Sequence, residues 1–130
     1  MPDVNLLAVA VAAVVAFLLS GVWYGALGNR LASLHEAYAN PTRSRAATAV
    51  VELARNLLLA LVTAGLADRI DPAGAAGGLV LGLVLWIGFP VVILAGSVFH
   101  ERVPVRLAAI HAGDWLLKLL AVAAIVGAWR

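Results

Sequence analysis

Residues 4–25 read VNLLAVAVAAVVAFLLSGVWYG, an unbroken apolar run with no charged side chain. A helix of about 20 residues crosses the hydrocarbon core of a bilayer, so this segment spans by itself. A cleaved leader needs a basic start and a small-x-small cut site. Here the start holds Asp3 without Lys or Arg, and the run closes on Trp23–Tyr24. Such rings suit the boundary between hydrocarbon and headgroups. The expectation is a first span that stays in the membrane.

Three further runs follow. Residues 46–67 carry Glu52, Arg55 and Asn56; residues 75–99 are uncharged; residues 105–129 carry His111, Asp114 and Lys118. Pro90 lies inside the third run, where it removes one helical hydrogen bond and bends the chain. The polar stretch 29–45 is broken by Asn40–Pro41 and predicts a loop with a short interfacial helix around residues 31–38. Asp68, Arg69, Asp71 and Pro72 predict a tight turn that makes the second and third spans antiparallel neighbours. The pattern predicts an all-α polytopic membrane protein, one four-transmembrane-helix bundle over residues 1–130.

Composition supports this. The chain is 64% hydrophobic and 12% charged, against roughly 25% charged in soluble domains. A soluble domain this small keeps much of its surface in water and has nowhere to hide so many apolar side chains. The net charge of +2 is modest and the arginines are scattered, unlike the basic stripe that binds nucleic acid. Cysteine is absent, which removes disulfides and thiolate ligands.

Arginine placement predicts orientation, because basic residues favour the cytoplasmic side. The first and third connections hold Arg30, Arg43, Arg45, Arg102 and Arg106, whereas the other side holds Arg69 and Arg130. The expectation is a multi-pass protein of the inner (cytoplasmic) membrane with both termini outside.

The charges within the spans decide where function is sought. An ionised side chain at the bilayer centre costs about 2.5–3.5 kcal/mol, and Glu52, Arg55, Asp114 and Lys118 together cancel. Thr48, Glu52, Arg55, Asn56 and Thr63 fall at helical spacing, as do His111, Asp114 and Lys118. The second and fourth spans run in the same direction. Arg55 and Asp114 each lie about nine residues into their spans, and Glu52 and His111 about six. This predicts contact between those two spans, with Arg55 facing Asp114 and Glu52 near His111. Lys118 either reaches back to Asp114 or snorkels outward. The six residues Glu52, Arg55, Asn56, His111, Asp114 and Lys118 form the candidate proton or ligand site. The competing expectation is a polar staple that fixes helix register.

Small-residue spacing gives a second pattern. Gly21 and Gly25, and then Gly74, Gly78 and Gly82, stand four apart, which permits close helix approach or a dimer face. Trp86 and Trp115 lie deep and read as core filler whose ring N–H needs a partner. His35–Glu36 and His100–Glu101 share one side, but no spacing of the HExxH or CxxC kind accompanies them. No metal, cofactor or nucleophile set is expected, and neither is an enzyme.

Several of these residues carry a resemblance. Asn5 before an apolar run, Gly21–Val22–Trp23–Tyr24 at its end, Trp86–Ile87–Gly88–Phe89 and Gly127–Ala128–Trp129 resemble the bacterial domain-of-unknown-function family numbered 1761. The resemblance covers nearly the whole chain and implies a small four-helix inner-membrane protein without an assigned activity. The family commonly continues the Trp-Tyr with Ser-Pro, where this chain has Gly25–Ala26.

In size the chain is similar to small multidrug-resistance transporters. Those use a carboxylate in the first helix, and this chain has none there after Asp3. Two expectations of different kinds follow. One is a proton-coupled small-solute transporter or transporter subunit. The other is a structural or interaction subunit of a larger membrane complex. The partners expected are the lipid bilayer and a second copy or another membrane protein.

Overall fold

Asn5 starts the first helix: its side chain accepts from the backbone N–H groups of Leu7 and Ala8, both at 3.1 Å, satisfying donors that a helix start leaves free. In the computed structural model, which describes residues 3–130, α1 then runs over Leu6–Ala26. Two short helices follow, α2 (Gly28–Leu34) and α3 (Glu36–Ala39). The interfacial helix expected at 31–38 is therefore divided at His35, whose backbone is extended and whose ring accepts from the Ala37 N–H. Ser44 caps α4 (Arg45–Ile70) through the Ala47 N–H.

The α4–α5 turn consists of Asp71, Pro72 and Ala73, with Asp71 left-handed at φ 57°. Asp68 and Arg69 belong to the helix rather than to the turn. The third span is α5 (Gly74–Gly88) and α6 (Pro90–Glu101), separated at Phe89 with φ −121° and ψ −75°. Pro90 clashes with a helical conformation in the residue before it, which explains the break. After a second left-handed residue, Arg102, the last span is α7 (Val105–Ala128).

Four segments are long and apolar enough to cross a membrane: Leu6–Ala26, Arg45–Ile70, Gly74–Glu101 and Val105–Ala128. Their large side chains face outward, among them Leu18, Val22, Leu58, Val80 and Ile93. This inversion of soluble packing fits a lipid surround, where tails are as apolar as leucine.

The interior is built from small residues. Ala12, Ala13 and Ala16 of α1, Ala60, Ala64 and Ala67 of α4, and Val122 and Val126 of α7 form one cluster. Small side chains let backbones approach and gain dispersion contacts, the main attraction between helices in lipid.

α7 is the hub, packing on α1, α4, α5 and α6. The α4–α5 turn does not make those two helices partners as its shortness suggests: α5 packs along α7, and α4 along α1 and α7. Glycines explain the choice. A Cβ on Gly78 would collide with the Ala123 backbone, and one on Gly82 would lie 2.7 Å from the Leu119 carbonyl oxygen. Both glycines are thus consumed inside the bundle, as the packing expectation requires.

Candidate functional site

The same three helices that meet through alanine in one half of the bundle separate in the other. Beyond Ala16 on α1, Ala60 on α4 and Leu119 on α7, they line a half-open cavity of about 540 Å³. α1 contributes Phe17, Ser20, Gly21 and Tyr24; α4 contributes Arg45, Thr48, Ala49, Glu52 and Arg55; α7 contributes His111, Asp114, Trp115 and Lys118. Tyr38 of α3 and Pro41 and Arg43 of the following loop line its mouth. From Arg45 to Arg55 the wall extends about 15 Å along α4, at 1.5 Å per residue.

Five of the six residues singled out in the sequence line this cavity: Glu52, Arg55, His111, Asp114 and Lys118. Asn56 does not. It is only 1% exposed, and its amide nitrogen has no hydrogen-bond partner among the described residues.

The pairing within the site differs from the expected cross-helix one. Arg55 bonds Glu52 of its own helix at 2.5 Å, with its side chain more than half exposed. Lys118 bonds Asp114, again on one helix, at 3.0 Å, with both side chains 4% exposed. α4 turns Asn56 inward, so Arg55, a residue earlier, points about 100° away at 3.6 residues per turn. Asp114 is meanwhile satisfied by nearer groups. Lys118 also lies over the Trp115 ring, 4.0 Å from its centroid, so that ring faces the cavity and its cation rather than filling the core.

Three polar bonds between helices join α1 to α7. Ser20 donates to Asp114 at 2.5 Å, the Trp23 indole donates to the Ile110 carbonyl at 2.8 Å, and Tyr24 and His111 Nδ1 share a bond of 2.6 Å. His111 thus meets Tyr24 rather than Glu52. On the other side of α7, the Trp86 indole donates to the Ala112 carbonyl at 2.8 Å, the partner its depth demanded.

Tyr38 sits outside the spans. Partial burial raises its phenol above the ordinary value, and the charges of Glu52 and then Asp114 add to the effect. Among the described residues, no three of His, Asp and Glu come together as a metal-binding group.

Residues 7–127 match the family model described as Protein of unknown function (DUF1761). The chain belongs to the DUF1761 family. No curated protein and no solved structure matches it. This DUF1761 chain is therefore a four-span membrane bundle with a buried polar cluster, Asp114–Lys118 with Ser20 and Tyr24–His111.

Ser20 and Tyr24 were not among the residues singled out in the sequence. Their four-residue spacing continues the face that carries Ala8, Ala12, Ala13 and Ala16. In the DUF1761 chain Trp23 and Tyr24 likewise turn inward to α7 rather than outward as interface anchors.

Proposed function

We propose that the cavity between α1, α4 and α7 binds a small solute, and that the chain moves this solute across the membrane in step with a proton, alone or as a transporter subunit. The observation that carries this reading is a cavity of about 540 Å³ whose wall includes an almost fully buried carboxylate and ammonium. Ligand pockets run about 300–1,000 Å³, and ionisable groups inside membranes mark substrate or proton pathways.

Asp114 is the proton carrier in this scheme. It has two partners to exchange, the Ser20 hydroxyl and the Lys118 ammonium. Protonation weakens its hold on Lys118 and frees that cation to meet a solute. Transport then needs a second state, in which the alanine-packed half parts and the mouth closes. No covalent chemistry is invoked.

Purified protein in liposomes loaded with a pH-sensitive dye tests this. The probes are short alkyl phosphates, alkyl sulfonates and quaternary amines, which do not cross lipid unaided. A proton flux should accompany one class and disappear in Asp114→Asn or Glu52→Gln. Absence of probe-driven flux in wild type removes the transport role.

A second reading has its own support: Ser20, Trp23 and Tyr24 bond Asp114, Ile110 and His111, three points within little more than one turn of α7. In this reading the polar groups staple α1 to α7 in one register, and the chain serves as a structural subunit of a larger membrane complex or as a homodimer. Size in detergent and co-purifying membrane proteins test that role. For orientation we propose N-out and C-out in the cytoplasmic membrane, supported by Arg30, Arg43, Arg45, Arg102 and Arg106 sharing the cavity's side.

A further inference from the structure

The charges inside the cavity are not equally available. Lys118 is matched by Asp114 at 3.0 Å and by the Trp115 face, and Arg55 is matched by Glu52 at 2.5 Å. Subtracting these pairs leaves two guanidiniums at the mouth. Arg43 and Arg45 line the cavity and form no ion pair among the described residues.

From the mouth inward the wall is aromatic. Tyr38 stands at the mouth and Tyr24 follows, with Phe17 about two turns further along α1 and Trp115 about one turn past His111 on α7. The Tyr24 and Thr48 hydroxyls in this half are already engaged, by His111 and the Ser44 carbonyl. The lining thus runs from unpaired guanidiniums at the mouth, past ring faces, to the Asp114–Lys118 pair, with the Glu52–Arg55 pair on the α4 wall.

We infer that the cavity takes an anionic amphiphile, with its carboxylate or phosphate head on Arg43 and Arg45 and its apolar body against Phe17 and Trp115. This rests on the cavity being a ligand site, and it names the class of ligand. A cation fits poorly, because both carboxylates already face cations and the mouth repels it. A wholly polar anion would satisfy the arginines but leave the aromatic wall without an apolar partner, forfeiting the burial that drives most ligand binding. Two arginines near a membrane surface each contribute about 1 kcal/mol towards an anionic head.

Tryptophan quenching tests the inference on the full chain in neutral maltoside detergent. The probes are brominated dodecanoate, a brominated dodecyl phosphate and a brominated dodecyltrimethylammonium. The anionic probes should quench saturably, and the quench should vanish in Trp115→Phe. The two anionic arms separate carboxylate from phosphate heads. Affinity should fall about tenfold or more in the Arg43→Gln/Arg45→Gln double variant. It should be lost in Gly21→Leu, because Gly21 lines the cavity and a Cβ there meets nothing within 4 Å.

If the cationic probe binds as tightly as the anionic ones and Gly21→Leu still blocks it, the anionic class is overturned while the cavity stays a ligand site. If no probe quenches saturably, the amphiphile is overturned, and the liposome flux experiment decides the transport role separately. Unchanged affinity in the double arginine variant also overturns the proposed head site.

Discussion

Ser20 of α1 donates its hydroxyl to Asp114 of α7, 94 residues further along the chain, at 2.5 Å. The bond crosses between helices, whereas both ion pairs in the spans stay within one helix. Removing Ser20 therefore costs one hydrogen bond, and removing Asp114 strands an ammonium.

Ser20→Ala should lower stability by about 1–2 kcal/mol, as expected of a charge-assisted bond within a membrane. Asp114→Leu should cost about 3–5 kcal/mol, because it leaves Lys118 buried and unpaired, while adding Lys118→Met should recover most of that and leave about 1–2 kcal/mol for the Ser20 hydroxyl that loses its acceptor. Arg55→Leu and Asp114→Leu should be additive within about 0.5 kcal/mol. Reversible unfolding in detergent reads all four. Strong coupling between Arg55 and Asp114 would contradict the pairing described above.

The glycines should separate by location. Gly82→Leu should destabilise by about 1–3 kcal/mol through overpacking, since even a Cβ lies 2.7 Å from the Leu119 carbonyl oxygen. Gly21→Ala should instead gain about 0.5–1 kcal/mol from reduced backbone freedom, because its Cβ meets nothing within 4 Å. Equal effects at the two sites in the same unfolding assay would count against the packing of α5 on α7.

Tyr38 should ionise at higher pH than a free tyrosine, because partial burial and the Glu52 and Asp114 charges oppose the phenolate. A raised folded pKa favours the protonated form. Its stabilising contribution is complete below the unfolded pKa and is lost as pH rises through the folded one. The chain has two tyrosines, so a tyrosinate absorbance titration of Tyr24→Phe reports Tyr38 alone. A midpoint at or below that of free tyrosine would place the ring in water.

Single-cysteine labelling checks orientation. Asn40→Cys and Arg102→Cys should react from the cytoplasmic side and Asp71→Cys from outside. The reverse pattern would turn the protein over and put the cavity mouth on the external face.

The four spans were legible because a span is defined by length and the absence of charge, both one-dimensional properties. Their ends shift by only a few residues, from 46–67 to Arg45–Ile70 for example. Residues of the site were legible because charges in hydrocarbon stand out. Of their partners, Lys118 reaching back to Asp114 was among the expectations, but the cross-helix pairs were not the ones that form. Depth follows from counting residues, but azimuth depends on how each helix is rotated by its packing, and Asn56 rather than Arg55 faces in. The local alternative was available in the spacing, since three- and four-residue intervals bring side chains on one helix together. Ser20 was hidden because a hydroxyl in an apolar run costs too little to attract notice, and Tyr24 because its place at the end of the run suited an interface ring equally well.

The closure of both ion pairs within single helices has a consequence for biosynthesis. A nascent span that carried a lone aspartate or lysine would need another helix waiting in the bilayer to receive it. α7 carries Asp114 and Lys118 as a neutral couple, and α4 does the same with Glu52 and Arg55. Each can leave the translocon for lipid without a companion. The hub helix also follows its partners in the chain, so α1, α4 and the α5–α6 segment can wait as independent spans. The bundle then condenses around α7 when it arrives, and the Ser20–Asp114 bond, which joins residues 94 apart, waits for that step.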